Sequence, residues 1–128
     1  MNIAGALDRA RKAHRNAVEQ LYEDVCTVYE YMSVKDSVTK LTEKKEVPVL
    51  EGEPCRLSFE SIDTTSDGDA SGKSISVKLF LSPDVTIKAG SKIVVTHRGE
   101  IAAYSNSGVP AVYMTHQEIE LKLFERWA

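Results

Sequence analysis

Three histidines, His14, His97 and His116, are the side chains in this sequence best suited to acid–base chemistry, because an imidazole titrates near neutral pH. None of them stands in a His-Glu-x-x-His metal spacing, and there is no Gly-x-Ser-x-Gly nucleophile elbow. No glycine-rich phosphate loop precedes a helical pattern, and the 19 acidic residues show no spacing that singles out a catalytic pair. The sequence therefore predicts a protein that is not an enzyme and holds no cofactor and no metal.

The two cysteines, Cys26 and Cys55, both fall inside predicted strands. Charged residues interrupt the N-terminal sequence from Asp8 onward, so it lacks the apolar centre of a secretory signal and we expect a cytosolic protein. In a reducing cytosol, buried cysteines in strands are expected to be free core thiols. A disulfide or a metal-binding pair is the alternative.

Residues 61–74 form a polar segment between two predicted strands, longer than a hairpin connection needs. Its charged and flexible positions are Ser61, Asp63, Asp67, Gly68, Asp69, Gly72 and Lys73. Counted as an EF-hand loop from Asp67, the twelfth position is Lys78 instead of a glutamate, and strands instead of helices flank the segment. Calcium binding is therefore not indicated, and the segment is predicted to be a long loop that is either functional or disordered.

Residues 3–22 have the three- and four-residue spacing of an amphipathic helix. The stripe is rich in alanine and consists of Ile3, Leu7, Ala10, His14, Ala17, Val18 and Leu21. A stripe of this kind buries less surface than a core helix of leucine and isoleucine would. Two interpretations remain open. The helix packs on its own domain, or it contacts a neighbouring subunit or partner through Ile3, Leu7, Val18 and Leu21.

The rest of the chain predicts β-strands at residues 25–32, 43–51, 55–60, 75–81 and 118–126. Residues 55–60, 75–81 and 118–126 alternate between apolar and polar side chains with a period of two. Residues 25–32 are instead rich in β-branched and aromatic residues, with apolar side chains on both parities. Pro48 has no N–H for a sheet ladder and places its strand at an edge or a bulge, and residues 51–54 are predicted to be a turn. Residues 79–104 predict a meander, with turns at Pro83-Asp84, at Gly90 and at residues 97–100, and with a short strand at residues 85–87.

These elements predict a mainly β protein: a small antiparallel β-barrel of six to eight strands at residues 24–128, with an N-terminal α-helix at residues 1–23. The formal net charge of −3 does not favour a general nucleic-acid binder. No apolar run approaches the roughly 20 residues of a membrane span. Near the C-terminus, Phe124 and Trp127 are candidate partner contacts, and Trp127 is alternatively a lid over the end of the barrel.

Five blocks follow one another in a specific order: residues 27–31 (Thr-Val-Tyr-Glu-Tyr), 54–59 (Pro-Cys-Arg-Leu-Ser-Phe), 78–83, 87–96 and 116–127. In this order they resemble the head-closure proteins of long-tailed bacteriophages and prophage-like elements, which are head–tail connector proteins of the stopper type. The resemblance covers residues 24–128, and the N-terminal helix is additional to it.

The resemblance implies a ring, twelve-fold in that family, that closes the DNA-filled head beneath the portal and adaptor and offers a platform to the tail. It also implies that residues 61–74 line or block the DNA channel, in passive contact with DNA. Such a protein resides in the host cytoplasm during assembly and then at the virion's head–tail interface, or remains a cytoplasmic product of a prophage element. No membrane contact is expected.

Two other functions remain open at this point. A tail-completion or tail-terminator protein also forms a ring of small β-domains. An OB-like nucleic-acid-binding module is the alternative from another class, and it would show a salt-sensitive affinity for single strands.

Overall fold

The computed structural model describes residues 3–64 and 72–127. The elements in these ranges are α1 (Ile3–Glu19), β1 (Asp24–Lys35), β2 (Thr42–Thr64), β3 (Gly72–Leu81), β4 (Lys92–His97), β5 (Glu100–Asn106), β6 (Ala111–Val112) and β7 (Gln117–Leu123). The helix ends three residues before the predicted boundary. No helix in the described ranges has the length and apolar content needed to cross a membrane.

All strand pairings are antiparallel, in the order β3-β2-β1-β4-β5-β7-β6. β3 also pairs with β7, from Val77 opposite Leu121 to Leu81 opposite Gln117, so the hydrogen bonds close into a ring. This confirms the predicted mainly β, antiparallel, barrel-like fold with an N-terminal helix.

The core fills the inside of this closed sheet. Alternate residues of each strand point inward, which is the expected consequence of the strand period, and the buried apolar side chains are Cys26, Val28, Cys55, Leu57, Leu79, Leu81, Ile87, Ile93, Val95, Tyr104, Ile119 and Leu121. Cys26 and Cys55 are free thiols. Contact with Cys26, together with burial, raises the pKa of Cys55, so this thiol stays protonated.

The turn predicted at residues 51–54 is wrong, because β2 continues through it as one strand of 23 residues. The register against β1 shifts twice, between Cys26 and Val28 and between Val28 and Tyr29. Gly52 has a φ of 62° in this stretch. The extra residues are therefore accommodated as bulges, and Pro48 lies next to one of them, as its missing N–H predicts.

The short strand predicted at residues 85–87 is also wrong, since residues 82–91 connect β3 to β4 without a strand. The buried side-chain amide of Gln117 donates to the carbonyl oxygens of Ser82, at 2.7 Å, and of Val85. These bonds take the place of a strand partner for the connection, and Ile87 still reaches the core.

The hairpin predicted at residues 97–100 is confirmed. His97 lies opposite Glu100 across a two-residue turn. Both central residues have positive φ, 49° at Arg98 and 81° at Gly99, which is the conformation that matches the twist of the flanking strands.

Candidate functional site

A hairpin arm extends from the barrel where β2 and β3 continue beyond the ends of their pairing with β1 and β7. β1 pairs with β2 only as far as Cys55, and β7 pairs with β3 only from Val77 onward. Beyond these points β2 and β3 pair only with each other, from Glu60 opposite Ser76 to Thr64 opposite Gly72. We call residues 60–64 and 72–76 the hairpin arm. At about 3.3 Å per residue it extends some 15 Å past the last three-stranded position.

The arm accounts for part of the predicted long loop. Ser61 and Asp63 lie in β2, Gly72 and Lys73 lie in β3, and Asp63 is opposite Lys73. The loop boundaries of 61 and 74 are therefore corrected, because a ladder of backbone hydrogen bonds does not need apolar side chains. Asp67, Gly68 and Asp69 lie outside the described residues.

The core stripe continues from the barrel onto the base of this arm. Phe59, Ile75 and Leu123 prolong the inward-facing rows of β2, β3 and β7, but they are 52%, 69% and 70% exposed. They line a groove of about 880 Å³ together with Val77, Tyr104 and Leu121. We call this the arm-base groove. Polar and charged side chains, among them Lys122, Glu125 and Arg126, also line it.

Asp24 fixes the barrel end beside the arm. Its side chain is buried, one carboxylate oxygen accepts the Leu57 N–H at 2.8 Å, and the other lies 2.8 Å from Nδ1 of His97. The His97 ring also meets Phe59 edge-on, at 5.9 Å between centroids. A buried carboxylate with two partners holds three strands in register, so His97 has a structural task here.

The helix α1 is held to the barrel by a polar anchor near its C-terminal end. Nη2 of Arg15 lies 2.5 Å from Ser82 Oγ and 2.5 Å from a carboxylate oxygen of Asp84. The bond to Asp84 raises the pKa of the Arg15 guanidinium above its ordinary value. Because the pair is partly exposed, its contribution to stability is small, and it orients the helix more than it stabilises it.

The structure separates the predicted partner contacts of the helix. Val18 lines a cleft with Tyr22, Phe80 and His116, where the helix meets the barrel, and Leu21 borders this cleft but is 66% exposed. Ile3 and Leu7 are 72% and 51% exposed. No residue of α1 is buried.

Phe124 and Trp127 lie against the body of the protein. Trp127 stacks on Tyr31 at 5.1 Å and meets Phe124 edge-on at 5.2 Å. Its Nε1 donates to Glu46 at 2.9 Å, and Nζ of Lys92 donates to the same oxygen at 2.9 Å. The bonds from Lys92 and then Trp127 lower the pKa of Glu46. These contacts hold the C-terminal segment against β1 and β2.

The histidines do not come together into a reactive group. His14 is exposed on α1, His97 pairs with Asp24, and His116 stacks on Tyr113 at 4.9 Å between centroids. Within residues 3–64 and 72–127, no three His, Cys, Asp or Glu side chains are placed to hold a metal ion.

Sequence reasoning missed the polar contacts made by Asp24, Gln117, Glu46 and the Arg15–Asp84 pair. Each joins residues between 32 and 81 positions apart. No local pattern indicates such pairs. The sequence did indicate a projection at residues 61–74, because two clear strand patterns flank a segment that is too long for a tight turn.

The described residues thus define a mainly β protein with a closed antiparallel sheet, an anchored N-terminal helix and a projecting hairpin arm. No family model matches the chain, and no curated protein matches it. A solved structure with similarity is that of the phage-like element PBSX protein xkdH from Bacillus subtilis, at 13% sequence identity and a TM-score of 0.49. The match covers 77% of this chain and 91% of the other. Similarity at this level does not establish a shared function.

Proposed function

We propose that the chain is a structural protein of the bacteriophage head–tail joint, from an intact phage or a prophage-like element. It closes the DNA-filled head below the portal and adaptor and offers the tail its attachment platform. The proposal rests on the sequence resemblance over residues 24–128 and on one structural observation. The hairpin arm projects from the barrel at the position in the chain where the resemblance puts the channel loop.

The length and chemistry of the arm suit a channel barrier. Seven residues join Thr64 to Gly72, and those two residues face each other across the ladder. These seven residues lie outside the described residues, and the described part of the arm already leaves the barrel. A stiff two-stranded ribbon holds its tip away from the body better than a free loop of the same length, because each backbone hydrogen bond restricts it.

The acidic residues of this hairpin suit contact with DNA that must slide. Asp63, Asp67 and Asp69 lie between Ser61 and Ser74 in the sequence. A ring multiplies them around one axis and creates a negative field that salt screens over about 8–10 Å. DNA phosphates are repelled by such a surface, so the barrier blocks the channel without adhering to its cargo.

The test is to shorten the hairpin while keeping the arm. Residues 65–71 are replaced by Asn-Gly, which supports a two-residue hairpin turn between Thr64 and Gly72. Filled heads assembled with this variant should lose DNA, measured as nuclease-sensitive DNA, because the barrier no longer reaches the axis. The matched control, Asp67→Asn with Asp69→Asn, keeps the length and should retain DNA.

Retention of DNA by the shortened variant at the wild-type level would reject the channel role. The same preparation separates the alternatives. A tail-terminator protein would bind preformed tails and leave filled heads unbound. An OB-like module would retain single-stranded DNA on a filter at low salt and release it at high salt.

A further inference from the structure

We infer that Asp24 and His97 are positioning residues that hold the root of the hairpin arm and set the direction in which the arm leaves the barrel. The inference rests on the proposed function, because it concerns the same arm, and it deepens that function by naming the side chains that aim the barrier. It goes beyond a role in strand register, since the contacts of these two residues reach the last residue before the arm, Phe59.

The two strands of the arm have different support where they leave the barrel. β3 is paired with β7 as far as Val77, so a backbone ladder holds it up to the residue next to the arm. β2 loses its neighbour earlier, because β1 begins at Asp24, opposite Cys55. From Arg56 to Phe59, β2 pairs only with β3 in the described part of the chain. Two-stranded ribbons twist more than strands inside a sheet, so this stretch of β2 needs another support.

The side chain of Asp24 supplies the first part of this support. The N–H of Leu57, two residues beyond the end of the β1–β2 pairing, donates to Oδ2 of Asp24 at 2.8 Å. The carboxylate thus takes the place of a backbone carbonyl that a longer β1 would provide. Asp24 is 3% exposed. Loss of this carboxylate would leave the N–H of Leu57 without its acceptor at a buried position.

His97 supplies the second part, because it reaches from β4 to β2 past the start of β1. Its Nδ1 lies 2.8 Å from Oδ1 of Asp24. A carboxylate only accepts, so Nδ1 is the donor, and this bond fixes the orientation of the imidazole ring. The ring then meets that of Phe59 edge-on, with 5.9 Å between centroids. Because Phe59 is opposite Val77, β2 is held up to the same level at which β7 stops holding β3.

The arm begins immediately after this level, at Glu60 and Ser76. If Asp24 and His97 released β2, the part of the ribbon without support on that side would extend back to Arg56. A two-stranded hairpin is only marginally stable by itself, so its direction depends on how firmly its base is held. A small rotation at the base is amplified along roughly 15 Å of arm, and the tip then leaves its position in the channel.

Spin labels on full-length protein measure the direction of the arm. One label is attached at Ser61→Cys, an exposed position of the arm. The other is attached at Val112→Cys on β6, which pairs with the end of β7 remote from the arm. The native Cys26 and Cys55 are 1% and 0% exposed, so they are not labelled in folded protein. The otherwise wild-type protein should give one narrow distribution of distances between the labels, and His97→Ala should broaden it at least twofold.

A second variant and two controls separate positioning from stability. Phe59→Ala removes only the ring that His97 contacts, at a side chain that is 52% exposed, so it should fold and also broaden the distribution. Ile75→Ala removes another exposed side chain of the arm-base groove, on the opposite strand. Ile93→Val lowers stability through a small cavity in the barrel core. Both controls should keep the wild-type distribution.

A distribution in His97→Ala as narrow as that of the wild type would overturn the inference, and if this variant does not fold, Phe59→Ala decides between the same two outcomes. Equal broadening in Ile93→Val would also overturn it, because the order of the arm would then follow overall stability.

Filled heads test the connection to the proposed function separately. Heads assembled with His97→Ala should expose severalfold more nuclease-sensitive DNA than wild-type heads. A broadened distribution with fully retained DNA would reject the channel role and keep the positioning role. An unchanged distribution, with DNA still lost from heads that carry the shortened hairpin, would reject the positioning role alone.

Discussion

Glu46 shows at the residue scale how a single carboxylate clasps the end of the chain. It accepts hydrogen bonds from Trp127 and from Lys92, both at 2.9 Å. Nζ of Lys92 also lies 4.8 Å from the ring centroid of Phe124, which favours a cation over an aromatic face. Loss of the negative charge on Glu46 would weaken its hydrogen bonds with both donors, most of all with the charged Lys92.

Acid should release the C-terminal segment. The folded-state pKa of Glu46 is lowered, so its contribution to the clasp is present above its unfolded pKa, which is near 4.5, and is lost as pH falls through the folded value. Trp127 is the only tryptophan in the sequence. Its emission should shift to the red below pH 4.5, while circular dichroism of the sheet is unchanged.

Matched variants separate this cause from general acid unfolding. Glu46→Gln should show the red-shifted emission already at neutral pH, because the amide carries no charge for Lys92. Glu43→Gln removes an exposed acid on the same strand that contacts Lys45 and not Trp127, and its emission should match the wild type. Identical emission of all three proteins at neutral pH would refute the assignment.

At the scale of elements, the β4–β5 hairpin carries a residue that its turn does not favour. Arg98 has a φ of 49° at the first central position, where asparagine or glycine is preferred. Gly99, with a φ of 81°, occupies the second. The open space around Gly99 contains no atom that an added Cβ would strike, so any cost of a side chain there comes from the backbone.

Arg98→Asn should therefore stabilise the protein by a few tenths to about 1 kcal/mol, and Gly99→Ala should destabilise it by about 1 kcal/mol. Urea unfolding monitored by circular dichroism measures both. Gly108→Ala is the control, since Gly108 has open space and a φ outside the left-handed region. A loss of stability in Arg98→Asn would show that the arginine side chain makes a stabilising contact.

At the scale of the whole molecule, the exposed apolar side chains of the described residues lie at several separate places. Phe59 and Ile75 lie at the arm base, Val38 lies at the β1–β2 tip, and Val109 and Met114 lie between β5 and β7. Stable interfaces bury about 800 Å² on each partner in one contiguous patch. Each separate patch therefore supports only weak contacts between copies. A stable assembly then needs a template that brings several of these contacts together.

The isolated protein should accordingly be a monomer at low concentration and associate weakly as the concentration rises. Light scattering coupled to size-exclusion chromatography measures this directly. A variant lacking residues 1–22 should remain folded and show less association, because the exposed apolar side chains of Ile3 and Leu7 are removed with the helix. A stable dodecamer formed without partner proteins would contradict the prediction.

The sequence by itself determined the local features of this protein. Period-two alternation and β-branched or aromatic composition predicted the strands, the three- and four-residue spacing predicted the helix, and the glycine at residue 99 placed the tight hairpin. Each of these depends on residues close together in the chain, so the composition of a short window is sufficient. The resemblance to head-closure proteins likewise comes from the order of short blocks.

Only the tertiary structure decided what these elements build. The β3–β7 pairing that closes the sheet, the continuity of β2 across Gly52 and the arm left without neighbours all depend on which strands pair. The same is true of Asp24 with His97 and of Gln117 with the β3–β4 connection. Contacts between residues far apart in sequence arise from packing of the whole chain, and no short window of sequence contains both partners.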